Sequence, residues 1–160
     1  LYGLDAVIDG TGDFLHTGQL EVRAGNKTIL PTADLFISRR MWINSNLIIN
    51  NQGSIEIGDD LLFQNANTTW INAENSSLVM GDQISTGGIL RASAEGNTVV
   101  WQGTANRTFK RPFNDTYYHM EIGGTAIKTM PFTAHQASQT SPFIYVHCNH
   151  RPLFILIRLC

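Results

Sequence analysis

The chain has 160 residues, a formal net charge of −2 and only 15% charged residues, well under the roughly 25% of an ordinary soluble domain. Such a thin spread of Lys and Arg excludes the broad basic face that nucleic-acid binding needs. No apolar run approaches the roughly 20 residues of a membrane-spanning helix, and both cysteines, Cys148 and Cys160, fall in the last segment, so residues 1–147 hold no disulfide framework.

Taken in chain order, apolar residues come in short bursts. Leu20-Glu21-Val22, Leu35-Phe36-Ile37, Met41-Trp42-Ile43, Leu47-Ile48-Ile49, Ile55-Glu56-Ile57 and Leu61-Leu62-Phe63 are followed by Trp70-Ile71, Leu78-Val79-Met80, Ile89-Leu90 and Val99-Val100-Trp101. Several alternate with period two, and none keeps helical spacing, so each predicts a short strand. Asn, Gly, Asp and Ser between them supply turn chemistry. No helix is expected before residue 130.

The bursts also repeat. Ser54-Ile55-Glu56-Ile57-Gly58-Asp59-Asp60-Leu61 matches Ser77-Leu78-Val79-Met80-Gly81-Asp82-Gln83-Ile84 at a shift of 23 residues. The same shift pairs Asn44 with Asn67, Leu47 with Trp70 and Ile48 with Ile71. Gly18-Gln19-Leu20-Glu21-Val22 resembles Gly53-Ser54-Ile55-Glu56-Ile57 at another shift. A repeat of this length holding two or three strands predicts an all-β fold, a parallel β-solenoid (β-helix-like) of short stacked strands. Gly58 and Gly81 should mark one corner, through a positive φ or a tight bend. The competing expectation is an antiparallel sandwich.

Residues 96–130 add a closing module. Gly96-Asn97-Thr98-Val99-Val100-Trp101-Gln102-Gly103 precedes Tyr117-Tyr118-His119-Met120-Glu121-Ile122 and then Gly123-Gly124-Thr125-Ala126-Ile127-Lys128-Thr129-Met130. This resembles a module of large cell-surface repeat proteins of Bacteroidetes, many exported by the type IX secretion system. Its pattern there runs G-N-x-V-x-Y-x-G, Y-x-N-L and G-x-K-T-L. Trp101, Gln102, His119, Met120 and Met130 depart from that pattern while keeping bulk or polarity. The resemblance spans roughly residues 18–130. It implies an extracellular or cell-surface location, an adhesin-like spacer or display role without catalysis, and flanking repeats of a longer parent protein.

The candidate site residues follow from that frame. Asp59 stacks over Asp82 if the 23-residue register holds, and the pair would serve as turn residues or, alternatively, as Ca²⁺ ligands. Asp60 would join them, but Gln83 in the matching position breaks the acidic cluster. No cofactor other than this Ca²⁺ is expected. Trp70, Trp101 and Tyr118 are the candidates for stacking on an extracellular polysaccharide, against the simpler reading of aromatics as core. Trp70 aligns with Leu47 and should point inward. Asp9-Gly10-Thr11-Gly12-Asp13 reads as a glycine-rich turn, and the five Asn-x-Ser/Thr sites as a product of composition.

Residues 131–160 differ in kind. They lose Gly and Asp, gain three of the five His and both Cys, and close on Leu153-Phe154-Ile155-Leu156-Ile157. The expected division is therefore a solenoid at 1–130 and an atypical, irregular tail at 131–160, disordered or non-native. The absence of a leading Met suggests a fragment of a longer chain. The functional expectation is a non-catalytic display segment. A pectate-lyase-like β-helix enzyme or a carbohydrate-binding module is the alternative.

Overall fold

In the computed structural model, which describes residues 1, 5–85, 87–124 and the backbone of 128–129, 135–136 and 144–146, the chain winds into a parallel β-solenoid of about 6 turns. The first coil consists of β1 (Ala6–Ile8), β2 (Gly12–His16) and β3 (Leu20–Val22). The second holds β4 (Lys27–Ile29), β5 (Ala33–Ile37) and β6 (Met41–Ile43), and the third β7 (Ile48–Asn51), β8 (Ser54–Ile57) and β9 (Leu61–Phe63). Next come β10 (Thr69–Asn72) and β11 (Ser77–Met80), then β12 (Ile89–Arg91), β13 (Thr98–Trp101) and β14 (Arg107–Thr108). A 3-10 turn at Phe113–Asp115 leads to β15 (Thr116–Tyr117), β16 (His119–Ile122) and β17 (Lys128–Thr129), followed by β18 (His135–Gln136) and β19 (Ile144–Val146).

Every strand pairs in parallel with its counterparts one coil away, which makes three faces. The first is β1-β4-β7-β10-β12, the second β2-β5-β8-β11-β13-β16-β19 and the third β3-β6-β9, extended by a bridge from Leu61 to Ile84. β18 and β19 add rungs beside β15 and β16. The other residues expected to form an atypical tail, including His147, Cys148, His150 and Cys160, lie outside the described residues.

Alternation explains how so few residues build a core. In strands of three to five residues, every second side chain points inward and meets its equivalent on the next rung. On the second face one inward row runs Leu35, Ile55, Leu78, Val99, Met120, and the other Ile37, Ile57, Met80, Trp101, Ile122. All ten are buried. At the corner between the first two faces the stack turns polar. Asn51 Nδ2 donates to Asn72 Oδ1 at 3.2 Å and to the Ser77 carbonyl at 2.9 Å, so these buried amides bind successive coils together.

The 23-residue register holds on the second face and carries on to the third, where Leu61 bridges Ile84, but fails on the first. Ser77 pairs with Ser54 and Leu78 with Ile55, the 23-residue shift, but Thr69 pairs with Ile48 and Trp70 with Ile49, a shift of 21. The pairs Asn44–Asn67, Leu47–Trp70 and Ile48–Ile71 are therefore corrected. Two extra residues enter at the corner 73–76, where Asn75 takes a left-handed φ of 58°, and the corner absorbs the insertion without disturbing either ladder. Leu20–Val22 also lies on the third face, beside Met41–Ile43, and is not the equivalent of Ile55–Ile57 on the second.

Two lysines are drawn inside. Lys27 is 1% and Lys110 7% exposed. Lys110 Nζ donates to the carbonyls of Gly87 at 2.6 Å and Gly88 at 2.8 Å. Burial nevertheless pushes the Lys110 amine down from 10.5 to about 8, because desolvation penalises the ammonium. In the unfolded chain the amine keeps its proton up to its usual value, so the unfolded state binds more protons between pH 8 and 10. Stability should rise across that window by about 2 kcal/mol. Urea unfolding at pH 8, 9 and 10 checks this, and Lys110→Met should abolish the slope.

Candidate functional site

The corner between the second and third faces gathers the charged residues. Its spacing comes from the glycines Gly58, Gly81 and Gly103, which follow β8, β11 and β13. A Cβ on Gly81 would sit 1.9 Å from the Gly58 carbonyl oxygen, and one on Gly103 would sit 2.4 Å from that of Gly81. None of these three has a positive φ, so close approach of successive coils, rather than backbone handedness, requires glycine there. The Asp82 amide donates to the Asp59 carbonyl at 3.0 Å and the Asp59 amide to the Arg39 carbonyl at 2.9 Å. Asp59 and Asp82 thus lie on adjacent rungs.

Asp60 joins them. Gln83 does occupy the rung next to it, with the Leu61 amide donating to the Gln83 carbonyl, yet one carboxylate oxygen from each of Asp59, Asp60 and Asp82 falls within 4.8 Å of the others. The expectation that Gln83 would break the cluster is corrected: a rung holds more than one reachable carboxylate, and Asp60 reaches its neighbours directly. Two arginines flank the group. Arg107 grips Asp82 in a bidentate fork, Nε to Oδ1 at 2.9 Å and Nη2 to Oδ2 at 2.6 Å. Arg40 stands further off, 3.9 Å from Asp59 Oδ2 and 3.8 Å from Asp60 Oδ2. Those separations exceed hydrogen-bond length.

Asp60 is the member under strain. It is 9% exposed, and its Oδ1 is buried without a hydrogen-bond partner. Burial first, then the charges of Asp59 and Asp82, push its carboxyl above the usual range, with Arg40 and Arg107 pulling the other way. The arginines were invisible as partners in the sequence because neither shares a motif with the aspartates. The 20-odd-residue coil length was the signal that could have found them.

The aromatic candidates separate. Trp70 and Trp101 are fully buried, in inward rows of the first and second faces, so neither belongs to any exposed strip. Trp70 Nε1 donates to Asn72 Oδ1 at 2.8 Å, and Trp101 lies edge-on to Phe109 at 4.8 Å. Tyr118 stays half-buried at the surface, edge-on to His119 at 4.6 Å. Tyr117, its neighbour on the opposite side, is buried and donates its hydroxyl to the Lys110 carbonyl at 2.6 Å. The outward tryptophan is Trp42, between Glu21 and Leu62 on the third face. Its place was legible in the alternation of Met41-Trp42-Ile43.

Arg107, Lys110 and Arg111, close together in the chain, turn to separate partners: Arg107 to Asp82, Lys110 to the Gly87 and Gly88 carbonyls, and Arg111 Nη2 to Asp115 Oδ2 at 2.7 Å. Of Asp9–Asp13, Asp9, Gly10 and Thr11 lie between β1 and β2, whereas Gly12 and Asp13 open β2 and so correct the expected turn. Asp9 accepts a 2.8 Å hydrogen bond from the Thr32 hydroxyl one coil away. An open cleft of about 550 Å³ lies elsewhere, at the first coil, lined among others by Leu1, Ile8, Phe14, Leu20 and Leu35. Among the described residues no helix is long and apolar enough to cross a membrane. Compared with known proteins, the chain matches no family profile, no curated protein and no solved structure.

Proposed function

We propose that this chain is a non-catalytic structural segment of an adhesin-like repeat protein, secreted or held at the cell surface. Its resemblance to type IX-exported surface proteins of Bacteroidetes supports that setting. The observation that carries the reading is the unfinished core at the first coil. Phe14 stands in the inward row of Leu35 and Ile55, yet it is 38% exposed. Leu20, in the inward row of Met41 and Leu61, is only partly buried. Leu15 and Val7, at outward positions of the same coil, are exposed as well. Leu1 also joins the third-face ladder ahead of β3, accepting from the Arg23 amide at 3.1 Å. Among the described residues no strand pairs with the outer edges of β1 and β2, and an apolar surface there suits a flanking repeat stacked upon it. A carbohydrate-binding module would instead need two or more aromatics side by side on one face, and Trp42 and Tyr118 lie on different parts of the coil.

Two measurements test the proposal. On a glycan array the full chain should show no saturable binding; clear binding to one polysaccharide overturns the purely structural role. In sedimentation velocity the chain should self-associate as concentration rises, through its uncovered edge. The double substitution Val7→Lys with Leu15→Lys should suppress that association, because charges on an edge oppose further pairing. A wild-type chain that stays monomeric at high concentration removes the argument from the edge.

A further inference from the structure

We infer, resting on the structural role proposed above, that the uncovered first coil binds a second copy of this chain head to tail, β2 of one copy pairing in parallel with β19 of the next. The second-face sheet runs from β2 to β19 with all its strands parallel, and among the described residues each of these two is paired on one side only. The two edges are therefore matched in direction. They are matched in register as well. The row that starts at Phe14 and Leu35 reaches Met120 and then the position of Ile144, and the outward row from Leu15 and Phe36 reaches Glu121 and then Tyr145. Head-to-tail stacking sets the Ile144 position of one copy beside the half-exposed Phe14 of the next and continues the apolar row.

Charge selects the same polarity. Residues 1–106 hold five Lys and Arg against eleven Asp and Glu, whereas residues 107–160 hold six against two. In the first coil Asp5, Asp9 and Asp13 are exposed, and Arg23 pairs with Glu21 at 2.9 Å. Toward the other end Arg107 and Lys128 occupy successive rungs of β14 and β17. Head-to-tail order brings an acidic first coil to a basic end, while head-to-head docking sets one acidic coil on another, and like charges facing each other across an interface are costly. Translation along the solenoid axis never closes, so the contact repeats from copy to copy into an open filament.

The test combines sedimentation velocity of the full chain with disulfide capture. Rising concentration should give dimers, trimers and larger species, weakened about threefold or more by high salt as the charges are screened. Asp13 and Asp34 are exposed and stand in register on adjacent rungs, so Asp13→Asn with Asp34→Asn removes a repulsion and should keep the fold. That variant should self-associate about fivefold more weakly. For capture, Cys148 and Cys160 are replaced by Ser. A Leu15→Cys chain mixed with a Tyr145→Cys chain should cross-link, because parallel neighbours stand about 4.8 Å apart, within disulfide reach. Neither chain should cross-link alone. Head-to-tail docking is overturned by a Leu15→Cys chain that cross-links to itself, by association that stops at the dimer, by an uncross-linked mixture, or by tighter association of the Asp13→Asn, Asp34→Asn variant. Each of these leaves the structural role standing, whereas saturable glycan binding removes that role and not the stack. A chain monomeric at every concentration overturns the docking too.

Discussion

Replacing Trp101 with Ala should lower the free energy of unfolding by about 3–5 kcal/mol, read as a fall in the urea midpoint with an unchanged slope. Trp101 is fully buried. It sits in its row between Met80 and Ile122 and meets Phe109 edge-on. A solenoid coil contacts only its neighbours, so the void cannot be refilled from elsewhere in the chain. The milder change Trp101→Phe separates volume from polarity. Trp101 Nε1 is buried without a partner, so Phe keeps a ring and removes an unpaired donor. Trp70→Phe should cost more than Trp101→Phe, because it breaks the 2.8 Å bond to Asn72. A loss below about 1 kcal/mol for Trp101→Ala, far under the range for core tryptophans, would contradict the buried placement.

The second large effect is at a glycine. Gly81→Ala should destabilise by about 3 kcal/mol, the upper end of overpacking costs, since the new methyl would stand 1.9 Å from the Gly58 carbonyl oxygen. Backbone cannot step aside there without breaking the ladder that joins β8 to β11. Gly123→Ala provides the control. A Cβ at Gly123 would find its nearest neighbour, the Trp101 carbonyl oxygen, at 3.6 Å, an ordinary contact, and its φ is not positive. That variant should be nearly neutral in the same denaturation assay. Equal losses in the two variants would mean that helical or strand propensity, not coil spacing, governs the position.

Much of this architecture was open to reading along the chain. Period-two bursts separated by Asn and Gly specify strands and turns locally, and the match of residues 54–61 to 77–84 exposes a repeat because both segments run round the same corner, from the second face to the third, in adjacent coils. The inward side of each burst was equally plain, since alternation fixes it: Trp42 lies opposite Met41 and Ile43. The first-face register was not legible, because two residues inserted at 73–76 shift one face relative to the other, and a linear alignment carries a single offset across both. The likeness of Leu20–Val22 to Ile55–Ile57 misled for a related reason. Strands on different faces share one pattern, and pattern alone does not say which face a strand joins.

The candidate site divides along the same line. Asp59 and Asp82 were visible as a repeated Gly-Asp pair, and their stacking follows from the repeat itself. Arg40 and Arg107 lie in different coils and share no motif with them, so only winding brings those charges to one corner. The edge-on contact of Trp101 with Phe109, the corner that holds Asp60 Oδ1 away from any donor, and the close packing at Gly81 are likewise products of stacking. What the sequence by itself determined is the strand pattern, its inward and outward sides and the existence of coils, because these depend on neighbours within a few residues. What only the tertiary structure decided is which side chains from separate coils meet, because each coil's length sets the register of the next and a one- or two-residue change at a corner redirects every contact above it.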